Sequence, residues 1–324
     1  MRVHDGQTSV KRVTFSVVIP LFNKRESVQR AILSVLNQER LPEEIIIVDD
    51  GSIDQSAEVA QVLLDASNAG VPSILIRQEN LGVSAARNRG AEEASSRFVA
   101  FLDADDEWLS GYLLELERLA LAFPDATVLT VRNNRPNSSG RLVAEPLGLP
   151  DHFFGIVKDF IGVYSRGYGI IHSSSVAIRR DVFQQHGGFK VGARKSQDIQ
   201  LWLQLGLSET FAHSAKPLSV WHDDYNGLGL RKGIVPFHLK FFLSDSEALD
   251  KTNSPSLKEF LRKNLFVHIV GHYLRRDDEV VGELLRLAPA LGSDLLGRCR
   301  FITKVPRPLL SVVVEIRRRI LRWK

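Results

Sequence analysis

The sequence predicts an α/β protein: a mostly parallel sheet flanked by helices, followed by a helical C-terminal extension. Three observations carry this. Short β-branched or aromatic runs alternate with amphipathic stretches through the first 131 residues, with brief connections between them, which is the pattern of strand–helix–strand crossovers. Two of these runs end abruptly in acids, at the strand ends where open α/β sheets bind their ligands. Beyond Arg231 the pattern becomes wholly helical.

The elements follow in order. Phe15 to Pro20 is the first strand, and Glu26 to Leu36 an amphipathic helix. Ile45 to Val48, four consecutive β-branched residues, forms a strand buried on both faces, as parallel strands are. A helix covers Ala57 to Leu64, capped by Asp54 or Ser52. Ser73 to Ile76 is the third strand, Val83 to Ala94 its helix, Phe98 to Leu102 the fourth strand and Leu109 to Ala122 the next helix. Ala126 to Val131 makes a fifth strand. Residues 132–170, rich at first in Gly, Pro, Asn and Ser, read as an irregular loop plus a short helix, a place for an acceptor-binding insertion or lid. Ser174 to Ile178 is a further strand and Asp198 to Leu205 a helix, with later helices at 235–249, 255–274 and 278–288. This divides the chain into an N-terminal extension (1–12), a main domain (13–230, with halves 13–131 and 132–230) and a helical region (231–324).

With 324 residues, 44% hydrophobic and 25% charged, the composition is that of a soluble globular protein. No stretch approaches the ~18 apolar residues of a membrane span, and the N-terminus lacks the apolar core of a signal peptide. Cys299 is the only cysteine, so no intrachain disulfide forms and a reducing, cytoplasmic setting is expected. The charge is unevenly placed. Residues 298–324 hold nine Lys or Arg and one acid, Glu315, so this stretch carries +8 and the rest −4 of the net +4. The main body therefore lacks the basic surface of a nucleic-acid binder.

The run Phe98 to Leu102 leads into Asp103, Asp105 and Asp106. Like charges so close resist ionisation. A divalent cation resolves the conflict, and oxygen ligands suit Mg²⁺ or Mn²⁺, which bridge carboxylates to substrate phosphates. The competing reading is a solvated turn in which Asp105 or Asp106 caps the next helix. A second acidic turn, Asp49-Asp50-Gly51-Ser52 with Asp54 behind it, follows the second strand. There Asp50 can accept hydrogen bonds from a nucleobase or ribose, or serve only as a helix cap.

Five segments, in order, resemble the inverting glycosyltransferases of family 2, which have the GT-A fold. Val17 to Asn23 looks like the family's opening strand, and Val48-Asp49-Asp50-Gly51-Ser52 with Asp54 like its second nucleotide-contacting loop. Asn80-Leu81-Gly82 to Arg87-Asn88 is similar to its N-x-G-x-s-x-A-R-N segment, and Asp103-Ala104-Asp105 to its D-x-D metal motif. Gly187-Gly188-Phe189 and Gln197-Asp198 with Leu201-Trp202 resemble the elements beside its catalytic base. The resemblance covers about residues 13–226. It implies transfer of one sugar from a nucleoside-diphosphate donor, UDP by default, to a hydroxyl of a glycan or lipid-linked acceptor, with Mn²⁺ or Mg²⁺ as cofactor.

The same resemblance implies roles. Pro20, Phe22, Asn23, Asp50, Ser52 and Asn80 line the nucleotide-sugar site. Asp103 and Asp105 serve both donor and metal, with Asp106 and His222 as further metal ligands, while His172 and Tyr225 rank below His222. Arg87 neutralises the diphosphate, whose geometry a guanidinium matches, or is simply a surface arginine on its helix. Asp198 is the general base, or merely begins the helix that contains Trp202. Gln197 departs from the family, which places Glu there.

Arg319 to Trp323 matches the Q/R-x-x-R-W motif of processive members but lies 121 residues beyond Asp198 at the terminus; a single-addition enzyme is expected. The tail 306–324 instead reads as an amphipathic helix for the surface of an anionic membrane, or as a terminal helix packed on its own domain with its arginines solvated. A sugar nucleotidyltransferase would carry a glycine-rich phosphate loop after the first strand, where this chain has Pro20-Leu21-Phe22-Asn23-Lys24. Asp103, Asp105 and Asp198 together argue against a non-catalytic nucleotide-sugar binder, an alternative that Gln197 leaves open.

Overall fold

A computed structural model describes residues 12–222 and 232–322, with side chains through Glu315. Among these residues ten strands form one sheet: β1 (Phe15–Leu21), β2 (Glu44–Asp49), β3 (Ser73–Arg77), β4 (Phe98–Phe101), β5 (Glu107–Trp108), β6 (Val128–Pro136), β7 (Leu142–Ala144), β8 (Phe154–Val157), β9 (Val176–Arg179) and β10 (Phe211–Val220). The order is β3-β2-β1-β4-β9-β6-β10-β5, with β7 on β6 and β8 on β10. The first four strands are parallel, as is the β6–β10 pair. β9 runs antiparallel to both of its neighbours, so the second half of the sheet is mixed.

Thirteen helices are described: α1 (Val28–Leu36), α2 (Ser56–Asp65), α3 (Val83–Glu93), α4 (Tyr112–Ala122), α5 (Phe160–Tyr164), α6 (Arg180–Gln185), α7 (Gln197–Ser208), α8 (Phe237–Leu243), α9 (Ser246–Lys251), α10 (Pro255–Leu274), α11 (Asp278–Leu287), α12 (Ser293–Ile302) and α13 (Arg307–Arg322). Because side chains alternate across a strand, β1 and β2 feed two cores. Val17, Ile19, Ile45 and Ile47 pack with Val28, Ile32 and Leu116 of α1 and α4 on one face. Val18, Ile46 and Val48 join Ala86, Leu201 and Trp202 of α3 and α7 on the other. That second core runs on into the C-terminal helices through Phe260, Leu261 and Leu265 of α10. Phe260 stacks on Tyr164 of α5, ring centroids 5.4 Å apart.

Three expectations need correcting. Residues 132–170 are not mainly irregular: β6 continues to Pro136 and turns through Asn137–Gly140 into β7, and β8 follows. Its outer part, Arg132-Asn133-Asn134-Arg135, is polar and hid the strand, while Asn137 Oδ1 accepts from Ser139 N and Arg141 N to close the turn. The helix expected from Leu109 begins at Tyr112, because Glu107 and Trp108 pair with Val220 and Ser219 of β10. Its N-cap is Gly111, not Asp105 or Asp106. Asp54 does bind the start of α2, accepting from Ser56 N at 3.0 Å.

Candidate active site at the carboxyl ends of the strands

The first two loops are sewn together. Asn23, at positive φ, donates its N–H to Ser52 Oγ (3.0 Å), and its own Oδ1 accepts from Ile53 N (3.0 Å). Pro20 is buried in β1 opposite Val48, while Phe22 and Asn23 stand exposed just beyond the strand end. Asp50 is buried and takes three hydrogen bonds, from Gln78 Nε2 (2.7 Å), Leu81 N (2.9 Å) and Gly82 N (2.8 Å). Its charge thereby fixes the loop that carries exposed Asn80. Gly51 allows this approach: at φ +81° it lies so near that loop that a Cβ would stand 3.2 Å from Asn80 N.

The second acidic turn is wired differently. Arg87 is 4% exposed rather than a surface residue, and its Nη2 donates to Asp103 Oδ1 at 2.5 Å. The guanidinium also lies 5.0 Å from the Phe189 ring centroid. Phe189 is held in turn by Asn88, whose side-chain amide both donates to Phe189 O (2.8 Å) and accepts from Phe189 N (2.9 Å). Gly188, at φ +63°, makes this clasp possible, since a Cβ there would fall 2.6 Å from Asn88 Oδ1. The A-R-N and G-G-F segments thus form one device that aims Arg87.

Asp105 faces elsewhere, paired with Lys24 Nζ at 2.5 Å. Partial burial works against the Lys24 charge, but the hydrogen bond and charge of Asp105, with Asp103 and Asp106 behind it, raise its pKa. Asp106 is 1% exposed, accepts from His222 N (3.0 Å) and from Ser174 Oγ, and lies 3.6 Å from His172 Nδ1. Ser174 Oγ also accepts from Asp103 N (3.1 Å), and Ser174 O receives Trp108 Nε1 (2.6 Å) and Ser219 Oγ (2.8 Å). One short turn before β9 therefore ties β4, β5 and β10 together.

Among the described residues, one group of His, Cys, Asp or Glu side chains is close enough to share a metal ion: Asp103, Asp106 and His172, with ligand atoms within 4.8 Å of one another. The electrostatics fit that use. Burial first, then the charge of Asp103, pushes Asp106 well above the usual carboxylate range. Burial opposes the Asp103 charge too, but Arg87 and then His172 hold its pKa below the usual range. Burial keeps His172 biased toward the neutral, ligating form, although Asp103 and Asp198 pull the other way. Two carboxylates favour a hard cation, and the added imidazole suits Mn²⁺ better than the strictly oxygen-loving Mg²⁺.

His222 is not in this group. Its Nε2 lies 2.8 Å from Glu107 Oε1. His172, ranked below it in the sequence, takes that place, stacked on Trp221 with centroids 4.9 Å apart. The one sequence signal for it was the His172-Ser173-Ser174-Ser175 run immediately before a strand. Tyr225 and Trp323 lie outside the described residues. Asp198 sits in the first turn of α7, and its Oδ1 accepts from Ile199 N (2.8 Å). Its charge is felt at His172, which places a third carboxylate in the electrostatic surroundings of the cluster.

The family model for Glycosyl transferase family 2 matches residues 16–187. The amylovoran biosynthesis glycosyltransferase AmsB of Erwinia amylovora is 29% identical over 219 residues, covering 66% of this chain and 71% of that one. A GalNAc(5)-diNAcBac-PP-undecaprenol beta-1,3-glucosyltransferase of Campylobacter jejuni is 38% identical over 105 residues, 32% of this chain and 34% of that enzyme. Some relatives matched at higher identity are thus spanned over only a quarter to a third of their length (26% and 34%). The crystal structure of S. aureus TarS 1-349 in complex with UDP-GlcNAc superposes with a TM-score of 0.71 at 15% identity, covering 94% of this chain and 92% of that one. That likeness shows a shared fold.

Proposed function

The chain belongs to glycosyl transferase family 2 and is a glycosyltransferase; from that premise we propose that it moves one sugar, with inversion, from a UDP-sugar to a hydroxyl of a glycan or lipid-linked acceptor. The observation that carries this reading is the convergence of Asp103, Asp106 and His172 at the strand ends, with the charge of Asp198 felt at His172. Asp103, Asp106 and His172 hold Mn²⁺ or Mg²⁺. When bound, the cation offsets the charge that grows on the departing diphosphate, stabilising the transition state more than the ground state.

The chain's own residues do the rest. The interlocked loops at Phe22–Asn23, Asp50–Ser52 and Asn80–Gly82 form the nucleotide side of the site. Arg87 keeps Asp103 ionised and adds positive charge toward the diphosphate. Lys24, released from Asp105, is a further cation at the same turn. On the acceptor side, Asp198 takes the proton of the attacking hydroxyl as its oxygen bonds to the anomeric carbon and the bond to the diphosphate breaks. UDP is the favoured nucleotide because the fold neighbour TarS was crystallised with UDP-GlcNAc and with UDP. An acceptor in surface polysaccharide or glycolipid assembly is favoured by the names of AmsB and the Campylobacter enzyme.

Among the described residues no helix is long and apolar enough to cross a membrane. The basic tail 306–324 brings the enzyme to an anionic membrane surface, and addition is single rather than processive. The test is UDP-sugar hydrolysis and transfer with and without Mn²⁺, using purified full-length chain. The reading expects turnover to depend on the metal; metal-independent turnover contradicts it.

A further inference from the structure

Helices α10 and α12 leave a notch of about 340 Å³ lined by Phe266, Gly297, Arg298, Phe301 and Ile302. It is apolar apart from Arg298, whose guanidinium sits 5.7 Å from the Phe266 ring centroid. The notch is open, because a Cβ placed on Gly297 would meet no atom within 4 Å. Phe301 at its edge is 66% exposed, and Leu309, Val312 and Val313 of α13 are more than half exposed as well. Leaving a side chain of that size in water forgoes ~1.5–3 kcal/mol of burial, and exposed apolar surface of this kind marks a place that something covers.

Charge selects the occupant. The stretch from Arg298 onward holds nine basic residues and one acid, so a cationic partner is disfavoured and an anionic one favoured. An anionic bilayer meets both demands: its phosphates attract basic residues at about 1 kcal/mol each, and its acyl chains match an apolar notch.

We infer that the α10–α12 notch is a phospholipid site, taking an acyl chain of an anionic bilayer while Arg298 at its rim pairs with the headgroup phosphate. This rests on the membrane reading proposed above and deepens it. The tail supplies long-range attraction; the notch supplies the contact that seats the folded enzyme at a fixed depth.

The experiment is co-sedimentation of the full chain with vesicles of phosphatidylglycerol plus phosphatidylcholine, and of phosphatidylcholine alone. The variants are Gly297→Leu, which fills the notch, Phe301→Ser, and a truncation lacking residues 306–324. Gly297→Leu should keep or raise the melting temperature, since Leu is the better helix former, and leave vesicle-free UDP-sugar hydrolysis unchanged. Displacing about two methylenes of acyl chain, at ~0.8 kcal/mol each, should weaken binding to the anionic vesicles ~10-fold. Phe301→Ser should act in the same direction.

Wild-type binding by Gly297→Leu and Phe301→Ser overturns the notch. If the truncation alone loses binding, the tail reading survives that result. Should the unaltered chain fail to sediment with anionic vesicles, the membrane reading falls and takes the notch with it, while glycosyl transfer stands. A concentration-dependent dimer abolished by Gly297→Leu would assign the notch to a second copy and also overturn the inference.

Discussion

The two acidic turns look alike in sequence and differ in the structure. After β2, Asp50 is saturated by two backbone N–H groups and a glutamine, and Asp49 accepts from Ser52 N at 3.1 Å. After β4, the carboxylates meet side-chain cations and one another: Arg87 on Asp103, Lys24 on Asp105, and Asp106 close to Asp103 and His172. The backbone donors on Asp50 cannot leave, so that carboxylate shapes the nucleotide loops, and the nearest side-chain cation, Arg77, stands 3.9 Å from Asp49. Side-chain cations can be exchanged for a metal or a diphosphate, which is why the proposed chemistry is assigned to the second turn. Composition alone cannot tell the two apart; the donors that answer each carboxylate do.

The largest expected effect lies outside both turns. Asp198→Asn should cut transfer by ~10²–10⁴, the usual loss for a general base, while UDP-sugar binding by calorimetry stays the same. Equal loss of donor binding would move Asp198 from base to scaffold. Within the second turn, Asp106→Asn should weaken Mn²⁺ binding by at least ~10–100-fold, judging from losses of outer-shell partners alone. Its melting temperature should hold, because the amide oxygen still accepts from His222 N, the amide nitrogen donates to Ser174 Oγ in place of accepting from it, and the repulsion with Asp103 is removed. The mirror experiment is Asp50→Asn. Losing charged acceptance should cost about 1.5–3 kcal/mol of stability with Mn²⁺ affinity unchanged. An Asp50→Asn variant that loses Mn²⁺ as completely as Asp106→Asn would erase the distinction between the turns.

Legibility followed the same divide. Ile45-Ile46-Ile47-Val48 and Phe98-Val99-Ala100-Phe101 announced buried strands because nothing functional interrupts them, and both acidic turns were found where those strands end. β10 was missed because Phe211–Val220 includes His213, Ser214, Lys216 and Pro217, and its pairing with β6 slips twice around Pro217. The outer part of β6 was hidden by its polar Arg132–Arg135 segment. Asp103, Asp106 and Asp198 were legible as acids in motifs. The partners that define them were not: Arg87 is 16 residues from Asp103 and Ser174 is 68 from Asp106, distances that only the fold closes. Lys24, which answers Asp105, carried no motif at all.

The smallest effect separates both turns from the helical region. Burial in the C-terminal helices, with the Lys195 charge adding to it, holds His238 and His268 at about 3, against an ordinary 6.5. Folding therefore favours their neutral forms. The stability this contributes is complete above pH 6.5 and is lost as pH falls from there toward 3. Thermal melts should show a decline that begins near pH 6 and steepens below it. His268→Gln should flatten that decline without altering Mn²⁺ affinity at pH 7.

The most direct measurement is anomalous diffraction at the manganese edge from crystals of the full chain grown with Mn²⁺ and a UDP-sugar. The expected result is one peak shared by Asp103, Asp106 and His172, with the donor diphosphate against it. A peak on Asp49 or Asp50, or none beside Asp103 while the donor is bound, would contradict the claim that the turn after β4 is the one that does the chemistry.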